Sequence, residues 1–284
     1  MGWVLKDDIQ ISAGPLQAAT GLQGGSEAAI HAMRDIFEHE EAEAVVLVDA
    51  SNAFNSLNRQ AALHNIQVIC PTFATILINT YRLATRMMIA GGKEILSQEG
   101  STQGDNFAMS FCGLGTAPLQ QVLELTSPSV KRVWLADDAT GAGKLLDLRE
   151  WWDTIIQHGS KLGYHVNETK SWLIVKEGSK MEEAKSIFAG TAIKFTSEGK
   201  RHLGASIGSH DFRVAYATEK VKNWCEEVEK LAEYAKSQPQ AAFAAFIHGE
   251  QHRFNYFMRT IPGMEDFMKP LDKISPSSSW NNAH

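Results

Sequence analysis

The sequence predicts an α+β fold in which a sheet domain is followed by a helical region. Three observations point there. Short apolar runs at 44–50 (AVVLVDA) and 130–136 (VKRVWLA) have the length and β-branched content of buried strands, and each runs into aspartate. Segments with helical features lie around them. From Arg213 to about Met258 the pattern is helical alone, with a break near Pro239.

The elements follow in order. Residues 11–25 are rich in Gly and Ala and read as loop, and Ser26 is an N-cap candidate for a helix from Glu27 to about His39. After the 44–50 strand, a helix spans Asn58 to Gln67. Pro71 interrupts before another, Thr75 to about Leu83. Gly91-Gly92 marks a hairpin turn between two short extended pieces. Gly100 to Gly104 is a polar loop, and 106–122 is a mostly buried helix. Beyond the 130–136 strand, 147–162 is helical, 171–176 and 191–196 are strands, and Gly204 and Gly208 frame a further extended piece. The expected division is 1–43 leading into the sheet, 44–208 carrying it, 209–274 helical, and a polar, disordered tail at 275–284.

Composition narrows the function classes. A chain of 284 residues with 44% hydrophobic content suits one large or two modest domains. No apolar run approaches a membrane span, and residues 1–10 lack the apolar stretch of a signal peptide. An intracellular protein without a membrane partner is expected, with nucleus and cytoplasm not distinguished. Cys70, Cys112 and Cys225 are too far apart for a zinc motif and odd in number, so buried free thiols are expected. The net charge of −6 is unusual for a nucleic-acid binder. It is also uneven: residues 1–170 hold 12 basic and 19 acidic side chains, and 171–284 hold 15 and 14. An acidic first part makes sense if several carboxylates are metal ligands.

Asp49 and Asp137-Asp138 are the candidates. Singly, each has an ordinary reading as a turn or helix cap. If their strands lie side by side, three carboxylates converge, and like charges there raise one another's pKa unless a cation intervenes. Mg²⁺ takes oxygen ligands, and two such ions suit phosphoryl transfer. Other features fail as sites. In GAGK (141–144), Asp138 stands where a phosphate loop has its first Gly and Leu145 where it has Ser or Thr, so a turn is expected. Trp134, Trp151-Trp152 and Phe254-Tyr256-Phe257 read as core packing rather than base-stacking platforms.

Five segments in order resemble the motifs of the reverse transcriptases of retroelements: VLVDASNAFNS (47–56), EGSTQGD (99–105), LADD (135–138), GYHVNETK (163–170) and RHLGASIG (201–208). The resemblance covers roughly residues 20–208, and the helical remainder is similar to the family's thumb. It implies a polymerase palm, an antiparallel sheet backed by helices, and an RNA-directed DNA polymerase activity on an RNA or DNA template, a primer strand and deoxynucleoside triphosphates. Two Mg²⁺ ions are implied, with Mn²⁺ as a substitute. Asp49 and Asp137 would be the principal ligands, Asp138 a third carboxylate, and the Ala50 carbonyl a further ligand. Phe54 would be the steric gate against a ribose 2′-hydroxyl. Gln103 and Gly104 would line the nascent base pair, Lys170 would sit near the departing pyrophosphate, and Leu203-Gly204 would form the primer grip.

The chain departs from the pattern at Asn106, where Pro is usual, and at Leu135, where an aromatic is common. Only 48 residues precede Asp49, with Lys6 and Arg34 their only Lys or Arg. Truncated fingers and low activity are therefore expected. Two rivals remain: an inactive remnant that only binds nucleic acid, and an RNA-dependent RNA polymerase. Ala136 and Phe54 speak against the second, which usually has Gly-Asp-Asp and an Asp at the sugar-sensing position.

Overall fold

The computed structural model describes residues 5–39 and 41–274. They fall into two compact units, Met1–Ser197 and Glu198–His284. The expected tail at 275–284 lies outside the described residues.

The first unit opens with α1 (Lys6–Ala13), so residues 11–13, expected in a loop, are helical. Gly14, at φ 81, ends the helix in a conformation that glycine adopts without steric cost. Next comes α2 (Gly25–His39), which starts ahead of Glu27 and takes Ser26 inside the helix rather than at its cap. Glycine is required at 25 because a Cβ there would lie 1.8 Å from the Ala18 carbonyl oxygen. β1 (Ala44–Val48) follows, buried at every position, then α3 (Ala53–Ser56) and α4 (Arg59–Ile69). Asn58 caps α4 by accepting from the Ala61 amide. Pro71 begins α5 (Pro71–Tyr81) instead of interrupting the chain before it. At the first helical position its missing N–H costs no hydrogen bond.

β2 (Thr85–Ile89) and β3 (Lys93–Ser97) form the expected hairpin about Gly91-Gly92. The helix expected over 106–122 is two, α6 (Ala108–Gly115) and α7 (Ala117–Thr126), because Pro118 stands in the first turn of the second, where its missing N–H costs no hydrogen bond. Then come β4 (Lys131–Leu135), β5 (Asp138–Gly143), α8 (Leu145–Gly159), β6 (Trp172–Val175), α9 (Met181–Ile187) and β7 (Lys194–Thr196).

The main sheet has the order β4-β5-β1-β6-β7. It is antiparallel from β4 to β6, as expected, but β7 joins β6 in parallel. The reason is α9, a crossover that returns the chain to the end of the sheet where β6 began. Residues 141–143 of GAGK are not the expected turn but the end of β5, a strand with neighbours on both sides. A Cβ on Gly141 would come within 3.0 Å of the Trp151 ring, so the glycine lets α8 lay that ring against the sheet. Trp134, Trp151 and Trp152 are fully buried, as core packing requires; Cys70 and Cys112 are buried free thiols, whereas Cys225, on a helix of the second unit, is free but only half-buried.

The second unit pairs β8 (Gly199–His202) with β9 (Ala205–Gly208) in an antiparallel hairpin, followed by α10 (His210–Ala235), α11 (Pro239–Ala245), α12 (Gln251–Thr260) and α13 (Met264–Ile274). Ser209 caps α10 through the Phe212 amide. A π-helical turn, Phe246–Glu250, joins α11 to α12. Trp224 packs between Phe254 and Phe257, with ring centroids 4.9 Å apart in each pair. The hairpin carrying Leu203-Gly204 therefore belongs to the compact unit that holds the helices, which starts at Glu198. Among the described residues no helix is long and apolar enough to cross a membrane.

Candidate active site

The sheet brings the two aspartate segments together. Val48 pairs with Ala139, so one step further along the ladder Asp49 comes opposite Asp138. On the other side Leu135 pairs with Asp138, which leaves Ala136 and Asp137 as a two-residue turn between β4 and β5. Ala136 takes φ 57, a left-handed conformation that costs a residue with a Cβ about 1 kcal/mol or more.

The carboxylates sense one another. Burial raises the Asp137 carboxyl pKa, its own backbone amide opposes that, and the Asp49 charge raises it further. Burial, then Asp137, then Asp49 push Asp138 up to about 6. Among the described residues, no Lys or Arg forms an ion pair with any of the three. Three acidic groups in a partly buried place without a basic partner are the donor chemistry that a divalent cation would satisfy. They do not form a closed ligand cage: among the described residues no three His, Cys, Asp or Glu side chains are gathered as a ready metal cluster.

The segment after α8 braces both acidic turns. The Asn167 amide donates to the Asp49 carbonyl at 2.7 Å, and the Asp49 amide donates to Ser171 Oγ at 3.0 Å. Ser171 Oγ in turn donates to the Asn167 carbonyl. The Ser51 amide donates to the His165 carbonyl, completing a bridge in which Ala50 stands opposite Val166. Because that bridge uses the Asp49 carbonyl and the Ser51 amide, the Ala50 carbonyl points away from Val166. Tyr164 donates from Oη to the Asp137 carbonyl at 2.7 Å. Lys170 is exposed at the end of the same segment.

Phe54 is half-buried against the core. Its carbonyl accepts from the Ser101 amide at 2.6 Å, which joins the first acidic segment to the Gln-Gly loop. Gly100 sits so close that a Cβ would lie 2.1 Å from the Phe54 oxygen. Gln103 and Gly104 are exposed beyond it, and Gly104 holds φ 92.

Arg59 organises this loop, a role that sequence reasoning missed. Its guanidinium is buried and donates to the carbonyls of Ser97, Glu99 and Gly100 and to Ser97 Oγ. It also lies 5.5 Å from the centre of the Tyr81 ring. Tyr81 Oη donates to Asp105, whose other oxygen accepts from the Phe107 amide. An Arg at the first helical position reads in sequence as a surface charge, so nothing local signalled this.

In the second unit, Leu203 at φ 47 and Gly204 at φ 81 form the tight turn between β8 and β9. Tyr256 Oη donates to the Leu203 carbonyl and Tyr216 Oη to the Gly204 carbonyl. Burial lowers the neighbouring His202 to about 4 and keeps it neutral at pH 7.

No protein-family model matches the sequence, and no curated protein matches it. Solved structures do match in fold. A Candida albicans telomerase, solved with a TWJ fragment of telomeric RNA, superposes with a TM-score of 0.55 over 97% of this chain at 10% identity. An apo telomerase from Candida tropicalis gives 0.51 over 100% at 11% identity, and a version truncated from its C-terminal domain gives 0.51 over 72% at 15%. The chain spans 54%, 60% and 43% of those chains, respectively. The chain thus has an α+β architecture that shares its fold with these telomerase chains.

Proposed function

We propose that this chain is an RNA-directed DNA polymerase of a retroelement, extending a primer 3′-hydroxyl with deoxynucleotides on an RNA or DNA template. The observation that carries the reading is the strand register that brings Asp49 opposite Asp138, with Asp137 in the adjoining turn and, among the described residues, no Lys or Arg ion-paired to any of them.

Asp49, Asp137 and Asp138, with the Ala50 carbonyl, would hold two Mg²⁺ ions, for which Mn²⁺ would substitute. Bound there, the ions supply a lowered pKa at the primer 3′-hydroxyl and neutralisation of charge at the α-phosphate. The remaining work falls to the chain itself. Phe54 lies five residues past Asp49, where its ring would exclude a ribose 2′-hydroxyl. Gln103 and Gly104 would line the nascent base pair, and glycine at φ 92 permits close backbone approach. Lys170 would offer an ammonium to the departing pyrophosphate. Leu203 and Gly204 would present the backbone that supports the primer end.

The test is primer extension by the full chain on RNA and DNA templates with Mg²⁺ or Mn²⁺. Product that depends on the metal, favours deoxynucleotides and vanishes in Asp137→Ala supports the reading. A folded wild-type chain that binds template and extends nothing under any of these conditions favours the inactive, nucleic-acid-binding remnant instead.

A further inference from the structure

We infer that Gln17 and Tyr164 are positioning residues that together hold the Ala136–Asp137 turn and so set where the Asp137 carboxylate stands; this deepens the polymerase reading and rests on it for its catalytic consequence.

Gln17 lies in the segment between α1 and α2, which looks like featureless loop in sequence. Here that segment runs along the free edge of β4. The Trp134 amide donates to the Leu16 carbonyl at 2.8 Å, and the Ala18 amide donates to the Trp134 carbonyl at 2.7 Å. Gln17 itself stands in a parallel bridge with Trp134 and is 2% exposed. Its side-chain amide meets both polar groups of one residue: Nε2 donates to the Ala136 carbonyl at 3.3 Å, and the Ala136 amide donates to Oε1 at 2.8 Å. The Ala19 amide also donates to Oε1, at 3.2 Å. Two backbone N–H groups converge on that atom, so it must be the oxygen, and the orientation of the amide is fixed by the network.

Tyr164 completes the hold from the other side. Its ring is fully buried, 5.6 Å from that of Trp134, and its hydroxyl reaches the carbonyl of the next residue, Asp137. Three backbone polar groups of a two-residue turn are thereby satisfied by two buried side chains. The β4–β5 ladder, which ends at the Leu135–Asp138 pair, does not supply these contacts.

The packing makes room for the arrangement. A Cβ on Gly113 of α6 would lie 3.0 Å from Gln17 Cγ and 3.1 Å from Cδ, so the helix has glycine where the glutamine passes. Ala136 sits at φ 57, a conformation that alanine does not favour alone. The turn therefore needs outside partners to stay in that state, and Gln17 meets both of Ala136's hydrogen-bonding groups. A displacement of about 1 Å at a catalytic group costs on the order of 100-fold in rate, so small relaxations of this turn have kinetic consequences.

The test uses the full chain with Gln17→Met, which keeps length but removes both polar atoms, and Tyr164→Phe, which removes one hydroxyl. Leu148→Ala, in the core of the same unit, serves as a control for general destabilisation. Turnover, KM for deoxynucleotide and the metal concentration for half-maximal extension are measured per folded molecule. The expected result is a fall in kcat on the order of 10- to 100-fold for Gln17→Met and a smaller fall for Tyr164→Phe. KM should stay within about threefold while the metal requirement rises, because the triphosphate and template contacts are untouched. Leu148→Ala should lower thermal stability and leave kcat and metal requirement alone. Wild-type kcat and metal dependence in both turn variants would overturn the inference. If the wild-type chain extends no primer, the polymerase reading fails by itself, and a crystal structure of Gln17→Met decides the inference. A turn that shifts and leaves the left-handed φ at Ala136 upholds it; an unchanged turn overturns it.

Discussion

Replacing Asp138 with Asn should stabilise the metal-free protein at alkaline pH, and the gain should vanish in acid. The carboxyl's ordinary pKa is 3.8, and in the folded chain burial, Asp137 and Asp49 raise it to about 6. A folded-state pKa above the unfolded one means that the folded chain holds the proton more tightly. The group is therefore accommodated at no cost below about pH 3.8. Its penalty grows as the pH rises through the interval and is complete above about 6. A displacement of about two pH units corresponds to about 3 kcal/mol at 1.36 kcal/mol per unit. Partial exposure of the site lowers the expected value to about 1–3 kcal/mol. Asn keeps the size of the side chain and never ionises, so the variant should avoid this penalty. The assay is urea unfolding at pH 4 and pH 8 in the presence of a chelator, followed by tryptophan fluorescence, since Trp134, Trp151 and Trp152 are buried in this unit. Excess Mg²⁺ at pH 8 should then stabilise wild type and close the gap, because ligand binding to the folded state adds to its stability. An Asn variant no more stable than wild type at pH 8, or a gain of equal size at both pH values, would refute the claim that burial and the neighbouring carboxylates together penalise the charged form of Asp138.

Three further outcomes follow, the first from the proposed role of Phe54 and the others from the geometry of the 97–100 loop. Phe54→Val should raise ribonucleotide use relative to deoxynucleotide use, measured by competing the two sugars in single-nucleotide extension; an unchanged ratio in a folded variant counts against the gate. Arg59→Met should destabilise the first unit by about 2–4 kcal/mol, because carbonyls of the 97–100 loop lose their donors, and limited proteolysis should cut that loop first. Gly100→Ala should be at least as damaging, since its Cβ would lie 2.1 Å from the Phe54 oxygen and the residue holds φ 61; a melting temperature within about 2 °C of wild type would contradict the close approach.

The acidic pair of strands was legible because an apolar run that ends in Asp leaves its mark on consecutive residues. β1 is buried at every position, and the register then follows from the β4–β5 hairpin. The ends of elements were less legible. Pro71 and Pro118 both stand in the first turn of a helix, whereas the sequence alone suggested a break before the first and a continuous helix through the second. GAGK looked like a turn because two glycines usually mark one. The fact that decides otherwise, Trp151 lying over Gly141, is a tertiary contact. The parallel placement of β7 was hidden for a similar reason, since strand direction depends on where α9 packs. The supporting residues of the site left the weakest trace. Gln17 and Arg59 act through single long side chains on backbone groups distant in sequence, and such contacts carry no periodicity. Tyr164 lies within GYHVNETK, where the resemblance gives a role to Lys170, which the fold leaves exposed, and none to the tyrosine.

The central claim is that Asp49, Asp137 and Asp138 form the metal site of a DNA-synthesising polymerase. The most direct measurement is extension of a labelled primer by the wild-type chain and by Asp137→Ala, with deoxynucleotides, with and without Mg²⁺ or Mn²⁺, alongside circular dichroism of both proteins. The account predicts metal-dependent extension by wild type and none by a variant whose spectrum is unchanged. Undiminished extension by the folded Asp137→Ala chain, or extension by wild type that persists in excess chelator, would contradict it.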